Sequence, residues 1–214
     1  FAPARGISAG MIYLDYQATT PLAPEARAAM LPWLAAPEEG EGYANPASPY
    51  RAGRAAAVAV EMARDAVAAL LPPGGKVIFT SGATEAINWA LLCGHRLRPG
   101  GVAGLAIEHA ASLQCLSALG GDLLPVGADG VALPVEPAQL PEGGVVVAML
   151  ANNEVGTIQP VDAITRAAQA RGNLMLVDAV QGFGRMPIPV GADMIAVSAH
   201  KIHGPKGIGA LWIR

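Results

Sequence analysis

The sequence predicts an α/β fold built on a mixed, mostly parallel sheet. From about residue 76 onward, short apolar runs alternate with helical stretches, as in a parallel sheet whose strands are joined by helices. The apolar runs are bounded by Gly, Pro or polar residues and are far too short to span a membrane, so they are typical of buried strands. With 214 residues, 52% of them hydrophobic, the chain is long enough for one substantial core and part of a second domain.

The predicted elements follow one another without an internal repeat. Two Ala-rich helical segments come first, at residues 24–34 and 48–71, and a loop at 38–49 containing Gly, Asn and Pro joins them. The sheet domain that follows is predicted to contain helices at 83–95, 110–119 and 161–171 and strands at 76–80, 102–107, 123–126, 145–150, 174–178, 193–197 and 210–213.

Composition excludes several classes of partner. The formal net charge is −3 and no basic stripe is present, so we expect no nucleic-acid partner, and no run of about 18 apolar residues predicts a membrane span. Cys93 and Cys115 form neither a disulfide framework nor a CxxC pair, so we expect a cytoplasmic protein without a bound metal ion. Residues 1–10 lack the layout of a secretory signal and are interpreted as a leader or a remnant preceding Met11.

The strongest local signal is the run Ser198-Ala199-His200-Lys201, directly after a predicted strand. Open α/β sheets bind ligands at this end of their strands. A lysine there can lose its charge to a low-dielectric pocket and act as a Schiff-base amine. A lysine in a polar surface loop is the alternative, because motifs this short recur by chance.

Asp178 closes another predicted strand and suits a partner for a protonated pyridine nitrogen. The same position is equally typical of an aspartate that caps the turn beginning at Ala179. Gln181 lies near the same ligand if a helical turn follows Asp178, and faces solvent otherwise.

A phosphate site is predicted where the first strand of the sheet passes through a small-residue turn into a helix. The free backbone N–H groups of Ala83 and its neighbours and the helix dipole favour an anion there, and Thr84 adds a hydroxyl. Simple N-capping by Ser81 or Thr84 explains the same residues without a ligand.

Two further strands are followed by residues that suit a flat ligand. His109 can stack on a ring, and Asn152 and Asn153 can bind a ring hydroxyl or a carboxylate, although ordinary loops also contain such residues. Polar residues thus follow five different strands at their C-terminal ends. Such ends converge at one edge of a parallel sheet, where these folds bind ligands.

Seven stretches then make the chain similar to the cysteine desulfurases, members of the class V aminotransferase group of fold-type I pyridoxal-phosphate enzymes. They occur in the family's order along nearly all of the chain after residue 11. The stretches are Tyr13-Leu14-Asp15 with Ala18-Thr19-Thr20-Pro21; Asn45-Pro46-Ala47-Ser48 with Gly53-Arg54; Phe79-Thr80-Ser81-Gly82-Ala83-Thr84-Glu85; Glu108-His109; Asn152-Asn153-Glu154-Val155-Gly156 with Gln159-Pro160; Val177-Asp178-Ala179 with Gln181; and Ser198-Ala199-His200-Lys201 with the glycine-rich residues 204–209.

The resemblance implies a seven-stranded sheet between helices, with an N-terminal arm at 11–75, a large domain at 76–214 that binds pyridoxal 5'-phosphate, and a small C-terminal domain absent from this chain. It also implies a role for each site residue. Lys201 binds the cofactor covalently and moves the substrate's α-proton, and His109 stacks on the ring and assists this proton transfer. Asp178 pairs with the ring nitrogen, Gln181 binds the ring hydroxyl, and Asn153 lies beside the ring and the substrate carboxylate. The phosphate is held by Thr84, Ser198 and His200.

The implied reaction converts L-cysteine to L-alanine in a homodimer, with sulfur passing as a persulfide to a sulfur acceptor or scaffold protein for iron–sulfur cluster or thio-cofactor assembly. The family's nucleophilic cysteine lies beyond the cofactor lysine, in a region this sequence lacks. Cys93 and Cys115 do not match it and are expected to be inert core thiols. The chain alone is therefore expected to bind the cofactor but to turn over cysteine poorly or not at all.

Other identities share the cofactor residues. A selenocysteine lyase, an enzyme using cysteine sulfinate or another class V transaminase would contain the same set. A truncated, non-catalytic assembly partner that still binds the cofactor is a further alternative.

Overall fold

The computed structural model describes residues 12–34, 36–40 and 42–214, so the interpretation of residues 1–10 lies outside it. The described chain forms one mixed seven-stranded sheet in the order β1-β7-β6-β5-β4-β2-β3, which confirms the predicted fold class. The strands are β1 (Lys76–Thr80), β2 (Val102–Leu105), β3 (Asp122–Leu124), β4 (Val145–Met149), β5 (Leu174–Asp178), β6 (Met194–Ser198) and β7 (Gly209–Ile213).

Five helices flank the sheet or precede it: α1 (Pro24–Met30), α2 (Arg51–Ala68), α3 (Ala83–Leu97), α4 (Ala110–Ala118) and α5 (Val161–Ala170). Short 3₁₀ segments lie at Leu31–Leu34, Pro137–Gln139 and Ala199–Lys201. Within the described ranges, no helix combines the length and the apolar character needed to cross a membrane.

Strand direction brings six strand ends to one edge of the sheet. β2 to β6 are parallel, whereas β7 runs antiparallel to both β6 and β1. Two reversals cancel, so β1 points the same way as β6. β7 begins where they end, because Gly209 pairs with both Thr80 and Ser198.

The core consists of two layers, one on each face of the sheet. Along β4, Val145 and Val147 pack with residues of α3 and α4, whereas Val146 and Ala148 pack with residues of α5 on the other face. This period of two is that of a strand, and burial on both faces explains why β4 is apolar at every position.

Several predicted bounds differ from the structure. The first helix becomes 3₁₀ after Met30, where Pro32 supplies no N–H for the helical ladder. α2 begins at Arg51 rather than at Ser48, because Ser48 precedes Pro49 and the residue before a proline disfavours the α conformation. The strand predicted at 123–126 ends at Leu124, and Val126 forms only an isolated bridge with Ala132.

The N-terminal arm is bound to the chain that follows β6. Thr20 N donates to His200 O at 2.8 Å, and Ala23 N donates to His203 O at 2.9 Å. The Thr20 hydroxyl also donates to His200 O at 2.9 Å and accepts from His203 N at 2.7 Å. These bonds hold residues near 20 against the segment that contains Lys201.

Substitution of Trp212 measures how much the core layer on the α5 face of the sheet contributes to stability. It is 1% exposed and belongs to the core on the α5 face of the sheet. Trp212→Ala should lower the free energy of unfolding by about 3–5 kcal/mol, because it removes a large buried side chain and leaves a cavity. Urea unfolding measures this loss.

Trp89 on α3 is the matched control, since it is 43% exposed. Trp89→Ala should reduce the stability far less. Equal losses for the two variants would contradict the assignment of the core.

Candidate functional site

A cavity of about 640 Å³ opens at the sheet edge where the six strands end, a volume within the range of small-molecule sites. All nine residues predicted from the sequence line it. They are Ala83, Thr84, His109, Asn153, Asp178, Gln181, Ser198, His200 and Lys201.

Lys201 ends the 3₁₀ turn after β6, and its side chain is half-buried at the cavity. Nζ donates a hydrogen bond to Gln17 O. Burial lowers the pKa of Lys201, and the positive charge of Arg185 lowers it further. The negative charges of Asp178 and Asp15 oppose this shift. A lowered pKa makes the neutral, nucleophilic amine more accessible, as a Schiff-base lysine requires.

Asp178 is the last residue of β5 and is only 5% exposed. Burial raises the pKa of its carboxyl, whereas the Val180 N–H, His109 and Lys201 counteract the rise. Oδ1 accepts from Val180 N at 3.0 Å. Asp178 therefore caps the turn and also lines the cavity, so the two roles considered from the sequence coexist.

The start of α3 leaves its first backbone N–H groups without a side-chain cap. Gly82 occupies the N-cap position, and no side chain bonds to the first turn there. Glu85 instead accepts from Ser81 N at 2.5 Å and from Ser81 Oγ at 2.7 Å. Capping by Ser81 or Thr84 is thus not realised among the described residues, and the helix end is open to an anion.

Polar groups face that helix end from β6 and the loop beyond it. Ser198 is buried at the end of β6, and His200 Nδ1 lies 3.1 Å from Thr19 Oγ1. Burial lowers the pKa of His200, and the positive charges of Lys201 and Lys206 lower it further. Two lysines and an uncapped helix N-terminus at one cavity favour a ligand with negative charge.

His109 has a defined orientation because it caps α4. Its Nδ1 accepts from Ala111 N at 3.1 Å. His109 therefore caps α4 and also lines the cavity.

The two neighbouring asparagines separate into a structural and a cavity residue. Asn152 is buried; it donates to Ile107 O at 2.9 Å and accepts from two backbone N–H groups of its own turn. Asn153 lines the cavity. The sequence identified the pair but could not distinguish their roles.

Gln181 does face the cavity, and its Nε2 donates to Gln17 O at 2.9 Å. The same carbonyl accepts from Lys201 Nζ. Sequence reasoning assigned no role to Lys206, Ala18 or Thr19, which also line the cavity. Ala18 and Thr19 belong to a stretch that carries the family resemblance, and that stretch could have drawn attention to them.

Neither cysteine lines the cavity. Cys115 is buried on α4, and burial raises the pKa of its thiol, as expected of an inert core thiol. The expected core position was wrong for Cys93, which is exposed on α3 because it lies on the face of that helix turned away from the sheet.

The sequence model of the family described as Aminotransferase class-V matches residues 12–214. The chain belongs to this family. A cysteine desulfurase of Cereibacter sphaeroides is 41% identical over 219 residues, which cover 95% of this chain and 55% of the relative. The chain thus spans about half the length of the curated relatives it matches.

Solved structures of similar proteins have the same fold as this class V chain. A NifS-like protein superposes with a TM-score of 0.85 at 35% identity, covering 95% of this chain and 59% of that protein. A structure described as SspA in complex with cysteine superposes with a TM-score of 0.81 at 32% identity, covering 95% and 61%.

Membership of the class V family implies pyridoxal phosphate, and the residues present fit it. The uncapped start of α3 suits the phosphate, Lys201 is a half-buried amine with a lowered pKa, and Asp178 is a buried carboxyl. These are the groups that the phosphate, the aldehyde and the ring nitrogen require.

Substitution of Gly209 tests whether the turn at Gly82, before the open start of α3, positions the phosphate in this class V domain. A Cβ added there would lie 2.7 Å from the Gly82 carbonyl carbon and 2.7 Å from Val197 O, both backbone atoms. Gly209→Ala should displace the turn at Gly82 and weaken pyridoxal-phosphate binding about tenfold, which corresponds to about 1.4 kcal/mol. Absorbance titration measures the affinity, and thermal unfolding without ligand measures any separate loss of stability.

Gly40→Ala is the control, because an added Cβ meets nothing within 4 Å at that position. Unchanged affinity in Gly209→Ala would show that the turn at Gly82 does not position the phosphate.

Proposed function

We propose that this chain is the cofactor-binding part of a pyridoxal-phosphate-dependent cysteine desulfurase, which converts L-cysteine to L-alanine and passes on the sulfur as a persulfide. The observation that carries the proposal is one cavity lined by Lys201, Asp178 and the uncapped start of α3. Relatives named cysteine desulfurase and a similar structure in complex with cysteine support this substrate.

When bound, the cofactor supplies an electron sink for the substrate's Cα. Lys201 would attach to it through Nζ and then carry the proton to and from Cα, since burial lowers the pKa of this amine. The Asp178 carboxylate would hold a proton on the ring nitrogen. His109, Lys201 and the Val180 N–H favour the charged form of Asp178 against its burial.

The remaining cavity residues would orient the cofactor. The N–H groups of Ala83 and Thr84 at the start of α3 would bind the phosphate together with Ser198 and His200 on the opposite side. Gln181, Asn153 and His109 would contact the ring. We assign the ring hydroxyl to Gln181, the substrate carboxylate side to Asn153, and stacking and help with proton transfer to His109.

The sulfur-accepting thiol must come from elsewhere, because Cys93 and Cys115 lie away from the cavity. We propose that it is a cysteine outside these 214 residues; the chain spans about half the length of the relatives it matches. We also propose a cytoplasmic homodimer that delivers sulfur to an acceptor or scaffold protein. Exposed apolar residues of the N-terminal arm, such as Leu14, Trp33 and Tyr50, support a partner surface there.

Covalent trapping tests the role of Lys201. Incubation with pyridoxal phosphate followed by borohydride reduction should attach one cofactor per chain to Lys201, and peptide mass spectrometry should locate it. Lys201→Ala should abolish the attachment, because the neutral amine at the cavity is lost.

The sequence contains two other lysines, Lys76 and Lys206. Lys76→Ala is the matched control and should label like the wild type, since Lys76 lies on β1 away from the cavity. Labelling at Lys206, or equal labelling of Lys201→Ala, would contradict the proposal.

A further inference from the structure

Glu108 is a buried carboxyl behind the cavity that the proposed mechanism does not use. It follows β2, is 4% exposed and does not line the cavity. Its N–H donates to Leu105 O at 3.0 Å, and its Oε1 accepts from Met149 N at 2.6 Å. The side chain therefore links the turn that presents His109 to the end of β4.

The second oxygen of this carboxyl has no hydrogen-bond partner among the described residues. Glu108 Oε2 is buried and unpaired, and so is Oγ of the fully buried Ser112 on α4. The Ser112 hydroxyl faces the carboxyl closely enough to oppose the rise in its pKa, although neither atom completes a bond. An ionised carboxylate at Glu108 would be a buried charge opposed only by the Met149 N–H and the Ser112 hydroxyl, with no cation beside it in the described part of the chain, so the protonated form is favoured.

Asp178 is the charged neighbour of Glu108. Met149, which binds Glu108, pairs in register with Asp178 on β5. Burial raises the pKa of Glu108 to about 8, and the charge of Asp178 contributes to the rise. Asp178 in turn has His109 and Lys201 beside it, both of which favour its charged form. Of the two buried carboxyls, Glu108 is therefore the one that keeps its proton more readily.

We propose that Glu108 is a positioning residue that acts as a neutral acid. Its carboxyl holds the His109 turn against β4, and its neutrality leaves Asp178 as the single ionised carboxylate for the cofactor's ring nitrogen. Glu108 touches neither cofactor nor substrate and acts through His109 and Asp178. The role rests on the proposed function, because it is defined relative to the cofactor.

The neutral acid makes the stability of the ligand-free chain depend on pH. In the unfolded chain Glu108 ionises near its ordinary pKa of 4.5, whereas in the folded chain it keeps its proton up to about pH 8. Between these values the folded chain binds more protons, so the free energy of unfolding falls as the pH rises. The fall ends above the folded pKa. Glutamine has no proton to lose and removes this contribution.

The test compares the full chain with Glu108→Gln, Glu108→Ala and the control Glu38→Gln, which neutralises an exposed carboxylate. Urea midpoints of the ligand-free chains are measured at pH 5, 7 and 9. The comparison uses the difference between variants, because the lowered pKa values of His200 and Lys201 add stability as the pH rises. From pH 5 to pH 9 the midpoint of Glu108→Gln should rise relative to that of the wild type, whereas the midpoint of Glu38→Gln should change in parallel with it.

Pyridoxal-phosphate affinity at pH 7 supplies the second readout. Glu108→Gln should rescue binding to within about threefold of the wild type, because its amide oxygen can still accept from Met149 N. Glu108→Ala should bind about tenfold more weakly, since the His109 turn loses its link to β4. Infrared spectra of wild-type chain containing ¹³C-labelled glutamate should show a protonated carboxyl at pH 6 that disappears at alkaline pH, a measurement that needs no variant.

A wild-type pH profile in Glu108→Gln, or an affinity as poor as that of Glu108→Ala, would overturn the proposal, as would the absence of the labelled protonated carboxyl. Failure of the wild type to bind pyridoxal phosphate would contradict the proposed function and the role of Glu108 toward the ring. The pH profile and the infrared band need no cofactor, so the protonation of Glu108 is decided separately from the proposed function.

Discussion

The common direction of five strands, β1, β2, β4, β5 and β6, is the constraint on which the site depends. The strand interiors are apolar because helices cover both faces of the sheet, so the polar site groups lie at the last strand positions, such as Asp178 and Ser198, and in the turns that follow. Since β1, β2, β4, β5 and β6 end at one edge, residues at and after their ends line the cavity there. β7 runs the other way and brings the glycine-rich loop with Lys206 to the same edge. A register shift in β7 would separate the anion end of the cavity from Lys201.

Burial then sets the charges at this edge. The same low-dielectric surroundings lower the pKa of Lys201 and raise that of Asp178, and each charge partly offsets the shift of the other. Glu108 lies deeper and has the charge of Asp178 rather than a cation as its neighbour, so the pKa of Glu108 rises to about 8. Buried groups of this kind reduce stability and are retained where a site needs them.

Several site residues also perform a local structural task. Asp178 caps a turn, His109 caps α4, and Glu85 holds Ser81 next to the open start of α3. For Asp178, the capping role considered from the sequence is therefore correct, and it does not exclude a role at the cavity. Only Asn152 and Asn153 divide the two tasks between neighbours.

The sequence by itself determined the positions of the strands, the polar residues at their ends and the family to which these residues belong. Such features depend on local order along the chain: apolar periodicity, prolines that interrupt helices, and short motifs at fixed spacing. The tertiary structure alone decided the antiparallel placement of β7, the exposure of Cys93, the contact of Gln17 with Lys201 and Gln181, and the isolation of Glu108 beside Asp178. These properties depend on neighbours distant in sequence, because pairing, burial and charge interactions act through space.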